Sequence, residues 1–325
     1  MENKGEKEQA HPKKDHIERL KNLIEQYKAG SATDPNLYWI HFTEPQLSRL
    51  YFQVYGEQVG VFLVRRTLRD LGYKYRKARK TLATGHYDDR DLQFEIIFEL
   101  ILLVSLNCPI ISIDCKKKEL LGNLYRAGKL LCTGERTVYD HDYPNLSEGK
   151  VIPHGIYDLL LNKGYISIGA SAETAHFITD NLLWWWTQHG IHHYPDAKRI
   201  VILCDAGGGN SYRHHAFKKY LQQLSQEIGV EIMVCHYPPY SSKWNPIEHR
   251  LFCHVHRAMQ GTIFTSYEVV KEVIQKTTTI TGLTVVVRLN LKNYPTKIKT
   301  TKDEVDQNRL KFHQKIPQLN YRILP

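Results

Sequence analysis

Short apolar segments alternate with amphipathic segments through the second half of the chain, and this alternation constrains the fold most. Apolar segments predict strands, and segments with a helical repeat of apolar residues predict helices. A hairpin is predicted at 151–171, with its turn at Asn162, Lys163 and Gly164. Further strands are predicted at 109–114, 199–205 and 230–239, and helices at 172–190, 211–229 and 245–259. This order favours a mixed α/β sheet with helices on its faces.

The sequence pattern of the first 80 residues is different, because only helical patterns occur there. Apolar residues at helical spacing predict a helix that starts near residue 16 and a second over 43–56, with Thr43 as its N-cap. A third helix follows from residue 61 and ends at Gly72. The expected buried positions are Leu47, Leu50 and Val54 on the second helix and Val64, Leu68 and Leu71 on the third.

The outward face of the third helix is basic. It carries Arg65, Arg66 and Arg69, and the pair of short helices resembles a helix-turn-helix module with this helix as its recognition helix. A basic strip follows at once, with Lys74, Arg76, Lys77, Arg79 and Lys80. A solvated charged face is the plain alternative. With a net charge of +10, we expect the arginines and the strip to bind DNA.

Two aspartates stand where predicted apolar strands end. Asp114 and Asp205 occupy these positions, and ligands of open α/β sheets bind beyond the carboxyl ends of strands. A turn-capping role is the alternative for each. The glycine run 207–209 lets the backbone after Asp205 approach another group closely.

Glu248 allows two interpretations. It follows Asn245 and Pro246, so it can close a capping box at a helix start. It also tops the apolar stripe of that helix, which brings it towards the two aspartates. Three carboxylates suit two divalent cations, and hard oxygen ligands favour Mg²⁺ or Mn²⁺. A zinc site is a weaker alternative, since it would need three ligands from one helix and lacks a fourth. Its residues would be His249, Cys253 and His256.

Several segments together resemble the Rhodopirellula-type DDE transposases of bacterial insertion sequences. The resemblance runs from about residue 36 to the C-terminus and includes DDRDLQF at 88–94. The other segments are ISIDCKKKELLGN, HGIYDLLLNKGYISIG, VILCDAGGGNSYR, VCHYPPYSSKWNPIEHRLF and TGLTVVVRLNLKNYPTKIK. By this resemblance Asp114, Asp205 and Glu248 match the metal-binding DDE triad of the family.

The resemblance implies a domain order and a fold. A charged segment with one helix (1–35) precedes a helix-turn-helix domain with its basic linker (36–87). A ribonuclease H-like catalytic domain (88–300) and a C-terminal tail (301–325) follow. The expected fold is therefore a ribonuclease H-like mixed α/β sheet flanked by helices and preceded by a small helical domain.

The resemblance also implies the activity and its partners. The triad would hold Mg²⁺ or Mn²⁺, two ions per site, and hydrolyse DNA at the element ends to free a 3′-hydroxyl. That hydroxyl would attack a target phosphodiester. The expected partners are the terminal inverted repeats, target DNA and further copies of the chain.

Location is expected to be the bacterial cytoplasm, at the nucleoid. No CxxC pair occurs among the six cysteines, which favours a reducing compartment. The most apolar run, 94–106, is short for a membrane span and contains Glu95 and Glu99, so no membrane partner is expected.

Other residues near the triad remain open at this point. Lys116, Lys117 and Lys118 are expected to hold the DNA backbone, with a solvated turn as the alternative. His236 would either contact the scissile phosphate or be a hydrogen-bonded strand end. The tryptophans at 184–186 favour helix packing over base stacking.

Two other functions remain open as well. One is a nuclease that cuts DNA without joining it, and the other is a DNA-binding repressor. Relatives usually begin with a further helix-turn-helix region, whereas one helix precedes residue 36 here. A truncated relic is thus part of the second alternative.

Overall fold

The computed structural model describes residues 11–30, 36, 38–76, 87–103 and 108–325. The chain divides into two compact units between residues 82 and 83. Within the described ranges, no helix is long and apolar enough to cross a membrane.

The first unit is helical. Its elements are α1 (His11–Gln26), β1 (Ala29–Gly30), β2 (Tyr38–Trp39), α2 (Glu44–Tyr55) and α3 (Val61–Asp70). The two short strands pair antiparallel. Leu20, Leu23 and Ile24 of α1 pack in one core with Leu47, Tyr51 and Val64 of the other helices. The helix expected in a separate N-terminal segment therefore belongs to this unit.

Local sequence signals set the ends of α2 and α3. Thr43 forms a capping box with Gln46 at the start of α2, as predicted for the N-cap. Gly56 and Gly72 follow the two helices with φ of 70° and 83°. This left-handed conformation costs glycine little, so the chain leaves α2 at Gly56 and turns away from α3 at Gly72, two residues after its last helical residue.

The buried faces of α2 and α3 differ in part from those predicted. Leu47 and Val64 are buried, but Val54 is half-exposed, and Tyr51 is buried in the second helix instead. Leu71 lies beyond the last turn of α3 and is partly exposed, while Thr67 is buried. The buried pair is spaced i, i+4 on α2 and i, i+3 on α3, so the buried face of each helix is rotated from the predicted one.

The second unit is built on a nine-stranded sheet. Its first strands are β3 (Ile110–Cys115), β4 (Glu119–Leu121), β5 (Gly149–Asp158), β6 (Lys163–Gly169) and β7 (Arg199–Cys204). The others are β8 (Glu231–His236), β9 (Thr284–Asn290), β10 (Leu310–Phe312) and β11 (Asn320–Ile323). The strand order is β10-β11-β8-β7-β3-β5-β6-β9, and β4 pairs with β5 beside this path.

The centre of this sheet has the expected arrangement. β3, β7 and β8 run parallel, and β5 runs antiparallel to both β3 and β6. The predicted hairpin is the β5–β6 pair, with Asn162 at φ 52° just before β6. The prediction of a mixed α/β sheet flanked by helices is confirmed.

Strands at both edges extend beyond that prediction. β9 pairs parallel with β6 at one edge. At the other edge, β11 pairs with β8, and β10 then pairs with β11. Residues 301–325, expected as a tail, therefore supply two strands of the main sheet.

Helices cover both faces of the sheet. They are α4 (Arg90–Leu103), α5 (Ala175–Trp185), α6 (Ile191–His193), α7 (His215–Ile228), α8 (Cys253–Met259) and α9 (Tyr267–Gln275). α5 and α7 pack on the face that carries Ile113, Ile202 and Val234. α4 packs on the opposite face over Ile110 and Leu203, and α8 and α9 pack over β5, β6 and β9.

The segment before α8 lies unusually close to the sheet. It begins at Pro246 and includes a π-helical turn, Glu248–Phe252, that runs into α8. A Cβ on Gly155 of β5 would stand 2.6 Å from Phe252 Cε1 and 2.8 Å from Ile247 Cδ1. Glycine at this position is therefore what allows the helix carrying Glu248 to lie against β5.

Candidate functional site

The register of two parallel strands brings Asp114 and Asp205 together. Ile113 of β3 pairs with Cys204 of β7, and each aspartate is the next residue along its strand. Neighbouring strands lie about 4.8 Å apart, so the two carboxylates project from adjacent positions at one edge of the sheet.

Glu248 reaches the same edge because its helix is fastened to β3. Ser112 and Asp114 lie on one face of β3, since side chains alternate along a strand. Ser112 Oγ accepts a hydrogen bond from Ile247 N at 3.0 Å and donates to Asn245 Oδ1 at 2.5 Å. Asn245 Nδ2 donates to the carbonyl of Ile113 at 3.0 Å. These buried bonds hold the start of the helix beside Asp114.

The capping-box interpretation of Glu248 is wrong for this conformation. The Asn245 side chain is buried against β3, and its backbone N–H donates to Ser242 O at 2.9 Å. Glu248 instead forms a side-chain hydrogen bond with Asp114. Ser112, rather than Asn245, accepts from the first turn of the helix.

Burial raises the proton affinity of all three carboxylates. Burial raises the pKa of Asp114 to about 8, and the charges of Asp205 and Glu248 add to the shift, against an opposing bond from Cys115 N–H. Burial likewise raises the pKa of Asp205 and that of Glu248. A cluster of this kind is unstable as three bare anions and favours a bound proton or cation.

Asp205 is held by neighbours on its own loop and on β8. Its Oδ1 accepts from Asn210 Nδ2 at 3.0 Å and from Gly207 N at 3.3 Å. Its carbonyl accepts from His236 Nδ1 at 2.9 Å, and His236 Nε2 contacts Tyr321 Oη at 3.1 Å. Burial lowers the pKa of His236 to about 4, so this residue is a neutral, hydrogen-bonded strand end. Its hydrogen bond to the Asp205 carbonyl fixes the backbone at that residue.

A fourth carboxylate, Glu173, was not expected at this edge. Its charge adds to the shift that raises the pKa of Asp114, and burial raises its own pKa. Its side chain accepts from the backbone of Gly209. A Cβ on Gly208 would lie 2.8 Å from Glu173 Oε1. The close approach that the glycine run permits is therefore to Glu173, which precedes α5.

The donor set of this edge fits a hard divalent cation in its chemistry, because every side chain of the cluster offers carboxylate oxygens. As placed, no three His, Cys, Asp or Glu side chains in the described part of the chain stand around a common point. Neither the carboxylate cluster nor the helix with His249, Cys253 and His256 therefore has three such side chains around one point. There, Cys253 Sγ donates to the carbonyl of His249 at 2.9 Å, which gives the zinc alternative no support.

The lysines after β3 have different environments. Lys116 Nζ pairs with Glu119 Oε1 at 2.9 Å, and its side chain is only 9% exposed. Lys117 and Lys118 are exposed. Lys117 and Lys118, unlike Lys116, are therefore exposed enough to contact a large ligand.

The tryptophan run packs into the protein, as favoured by its sequence. Trp185 and Trp186 are buried in the core under α5. Trp184 is partly buried, and the Arg288 guanidinium lies 4.6 Å from its ring centroid.

The predicted recognition face of α3 is exposed. Phe62, Arg65, Arg66 and Arg69 all point away from the core of the first unit. Arg65 Nε lies 3.4 Å from Glu44 Oε1, and Arg66 Nε lies 4.0 Å from Asp70 Oδ2. Arg65, Arg69, Lys74 and Arg76 border one groove of this unit with Tyr38 and Trp39. Lys77, Arg79 and Lys80 of the predicted strip lie outside the described residues.

Comparison with protein-family models gives one match, to the Rhodopirellula transposase DDE domain, over residues 19–325. A search of curated proteins found no relative that matches the chain.

Solved structures of Mos1 transposase resemble the chain at low identity. A pre-cleavage Mos1 transpososome has a TM-score of 0.46 at 16% identity, covering 84% of this chain and 72% of that one. The Mos1 mariner paired-end complex with Mn has a TM-score of 0.43 at 18% identity with the same coverage. With TM-scores this low, no argument about the present chain rests on them.

Proposed function

The chain belongs to the Rhodopirellula transposase DDE family, and on this premise we propose which of its residues carry the reaction and how. Membership makes the protein a DNA transposase whose cleavage and transfer of DNA depend on metal ions. The alternatives of a nuclease-only protein and a DNA-binding derivative are not favoured. Asp114, Asp205 and Glu248 are the proposed catalytic residues.

One observation carries this proposal: the three carboxylates lie near one another at the carboxyl edge of the parallel strands, where burial raises the pKa of each and the charges of Asp205 and Glu248 raise that of Asp114 further. A protein gains nothing for stability by gathering buried acids, because each one costs free energy when ionised. A site for a divalent cation gives a reason for the cluster.

The proposed cofactor is Mg²⁺ or Mn²⁺, two ions per site, held by Asp114, Asp205 and Glu248. When bound, such ions activate a water or hydroxyl for attack on phosphorus and stabilise the leaving oxygen. The expected sequence is hydrolysis at the element end, followed by attack of the freed 3′-hydroxyl on target DNA.

The surrounding residues hold these carboxylates in place. Asn210 and the Gly207 N–H fix the orientation of Asp205, and His236 fixes its backbone. Asn245 and Ser112 fix the start of the helix that presents Glu248. Because burial raises the pKa of Asp114 to about 8, this carboxyl would give up a proton on binding a cation near neutral pH.

DNA binding is proposed for two surfaces. Lys117 and Lys118 would contact the strand at the triad, and Lys116 would support them through its ion pair with Glu119. The basic face of the first unit would contact duplex DNA of the element ends through Arg65, Arg66 and Arg69 together with Lys74, Arg76, Lys77, Arg79 and Lys80. Assembly of several copies on DNA in the bacterial cytoplasm, at the nucleoid, completes the proposal.

The direct test is cleavage of DNA that carries the flanking sequences of this gene, with Mg²⁺ or Mn²⁺. Asp114→Asn, Asp205→Asn and Glu248→Gln should each lower cleavage by more than about 100-fold, since even indirect supports of metal ligands are worth roughly 10–100-fold. DNA affinity and circular dichroism should stay close to those of the wild type.

Asp196→Asn is the matched control, because Asp196 is exposed in the same unit and precedes β7, whereas Asp205 follows the other end of that strand. Its cleavage rate should equal that of the wild type. Wild-type speed in Glu248→Gln would show that the assignment of this residue is wrong. Cleavage without joining to a target would restore the nuclease alternative.

A further inference from the structure

A cavity of about 570 Å³ opens beside the carboxylate cluster, on the face of the sheet that α5 and α7 cover. Its lining includes Glu173, Gly208 and Gly209, which belong to that cluster or to the loop after Asp205. Residues 295–298 form another part of the wall. The cavity thus adjoins the proposed active site, and of the residues proposed above to contact DNA, Lys118 lines it.

The segment 291–301 that supplies this wall is anchored firmly. Tyr294 is buried, and its hydroxyl donates to Asp180 Oδ2 of α5 at 2.5 Å. Its backbone N–H donates to Ser171 Oγ at 3.1 Å, and Lys292 Nζ pairs with Asp180 at 3.2 Å. The next four residues are therefore held at the cavity.

Lys297 lies at the cavity in a strained conformation. Its φ is 62°, in the left-handed region that residues other than glycine rarely adopt. Such strain is commonly found where a side chain is held for a ligand. The anchoring by Tyr294 provides the over-determined surroundings that strain of this kind requires.

The charged side chains of the lining are two lysines and one acid. Lys118 and Lys297 are exposed there, with His176 and His214 beside them. Glu173 is the acid in this lining, and it is engaged with Gly209 N–H and the Cys115 thiol. The balance favours a ligand with negative charge.

An aromatic pair forms part of the same wall. The rings of His176 and Tyr220 are stacked, with centroids 4.8 Å apart and an angle of 3° between their planes. Aromatic side chains that line a basic channel provide stacking surfaces for unpaired bases, worth about 1–3 kcal/mol per base.

We propose that this cavity binds one unpaired nucleotide of the DNA strand beside the cleavage position. Its phosphate would contact Lys118 and Lys297, and its base would stack on the Tyr220–His176 pair. The volume is in the range of about 300–1,000 Å³ that holds a small ligand, which excludes a duplex from the cavity itself. This inference rests on the proposed function, since it uses the same DNA substrate.

Binding of a short fluorescent single strand and of the matching duplex tests the proposal by anisotropy at fixed salt. Lys297→Glu should weaken single-strand binding by about tenfold or more, the usual worth of a charge-assisted contact. Lys299→Glu is the matched control, because Lys299 has the same charge in the same exposed segment but does not line the cavity. Both variants should bind duplex about equally.

Photocrosslinking supplies a readout independent of affinity. A single strand with 5-iodouracil should crosslink to the peptide containing Tyr220, and Tyr220→Leu should abolish that crosslink. Equal single-strand affinity in Lys297→Glu and Lys299→Glu, or crosslinks only outside the cavity, would overturn the inference. If the wild type cut no DNA but the cavity still bound single strands, the proposed function would fail and the inference would stand.

Discussion

Burial decides the protonation state of several single residues in the catalytic unit. It raises the pKa of Asp114 to about 8 and lowers that of His236 to about 4. In the proposed site, the first shift would prepare Asp114 to exchange a proton for a cation, whereas the second keeps His236 neutral. The same physical cause would therefore serve the proposed function at one residue and structure at the other.

His154 is a second buried histidine, with no use in the proposed reaction. It lies on β5 opposite Cys115, and neither ring nitrogen has a hydrogen-bond partner among the described residues. Burial lowers its pKa to about 3. Since the ordinary value is about 6.5, the folded protein resists protonation of His154 and loses stability as pH falls from about 6.5 towards 3.

We predict that His154→Leu stabilises the protein and flattens its response to acid. Removing the unpaired ring should raise the free energy of unfolding by about 1–2 kcal/mol, because buried polar groups without partners are costly. Denaturant unfolding followed from pH 7 to pH 4 measures both effects. His192→Leu, at an exposed histidine, should change neither. Parallel pH curves for His154→Leu and the wild type would contradict the prediction.

At the scale of elements, the position of Glu248 depends on how one helix meets one strand. The Ser112 and Asn245 hydrogen bonds fix the start of the helix, and Gly155 leaves room for it on β5. Gly155 is also the register partner of Asp114. The contact between β5 and the helix, together with the hydrogen bonds to β3, therefore sets the position of Glu248 relative to Asp114.

Gly155→Ala should accordingly impair both stability and cleavage. The added methyl would overlap Phe252 and Ile247 and push the helix outwards, at a cost of about 1–3 kcal/mol. Thermal unfolding and the metal-dependent cleavage assay measure the two effects. Gly134→Ala is the control, because a Cβ there meets nothing within 4 Å. Unchanged cleavage in Gly155→Ala would mean that the helix position is not critical.

At the scale of the whole molecule, the two units have separate cores, and we expect them to carry different parts of the function. The larger unit holds the carboxylate cluster, and its sheet is completed at one edge by strands from the C-terminal residues. The smaller unit holds the exposed arginines of α3. Binding of duplex DNA and cleavage should therefore respond to different substitutions.

The salt dependence of duplex binding tests this division. The logarithm of the DNA-binding constant falls as the logarithm of the salt concentration rises, and each phosphate contact makes this slope steeper by about 0.9. Replacing Arg66 and Arg69 with alanine should thus reduce the slope by roughly two. The double variant Lys21→Ala and Arg49→Ala removes the same charge from other surfaces of this unit and should leave the slope near the wild-type value. Equal slopes for the two variants would refute specific contacts by α3.

Much of both units was predictable from sequence, because the signals are local. The parallel strands are continuous apolar runs, and the hairpin has its turn at Asn162. Thr43 and Gly72 set helix ends through their own backbone preferences. Asp114 and Asp205 were identified as strand-end residues for the same reason.

What required the tertiary structure depends on segments far apart in the chain. Glu173 joins the cluster only because a glycine loop after β7 packs against the start of α5. The cavity needs Tyr294 to anchor a late segment to α5, and the C-terminal residues become strands only because β8 offers an unpaired edge. Local pattern fixes the elements, whereas the pairing of distant surfaces decides which side chains share one site.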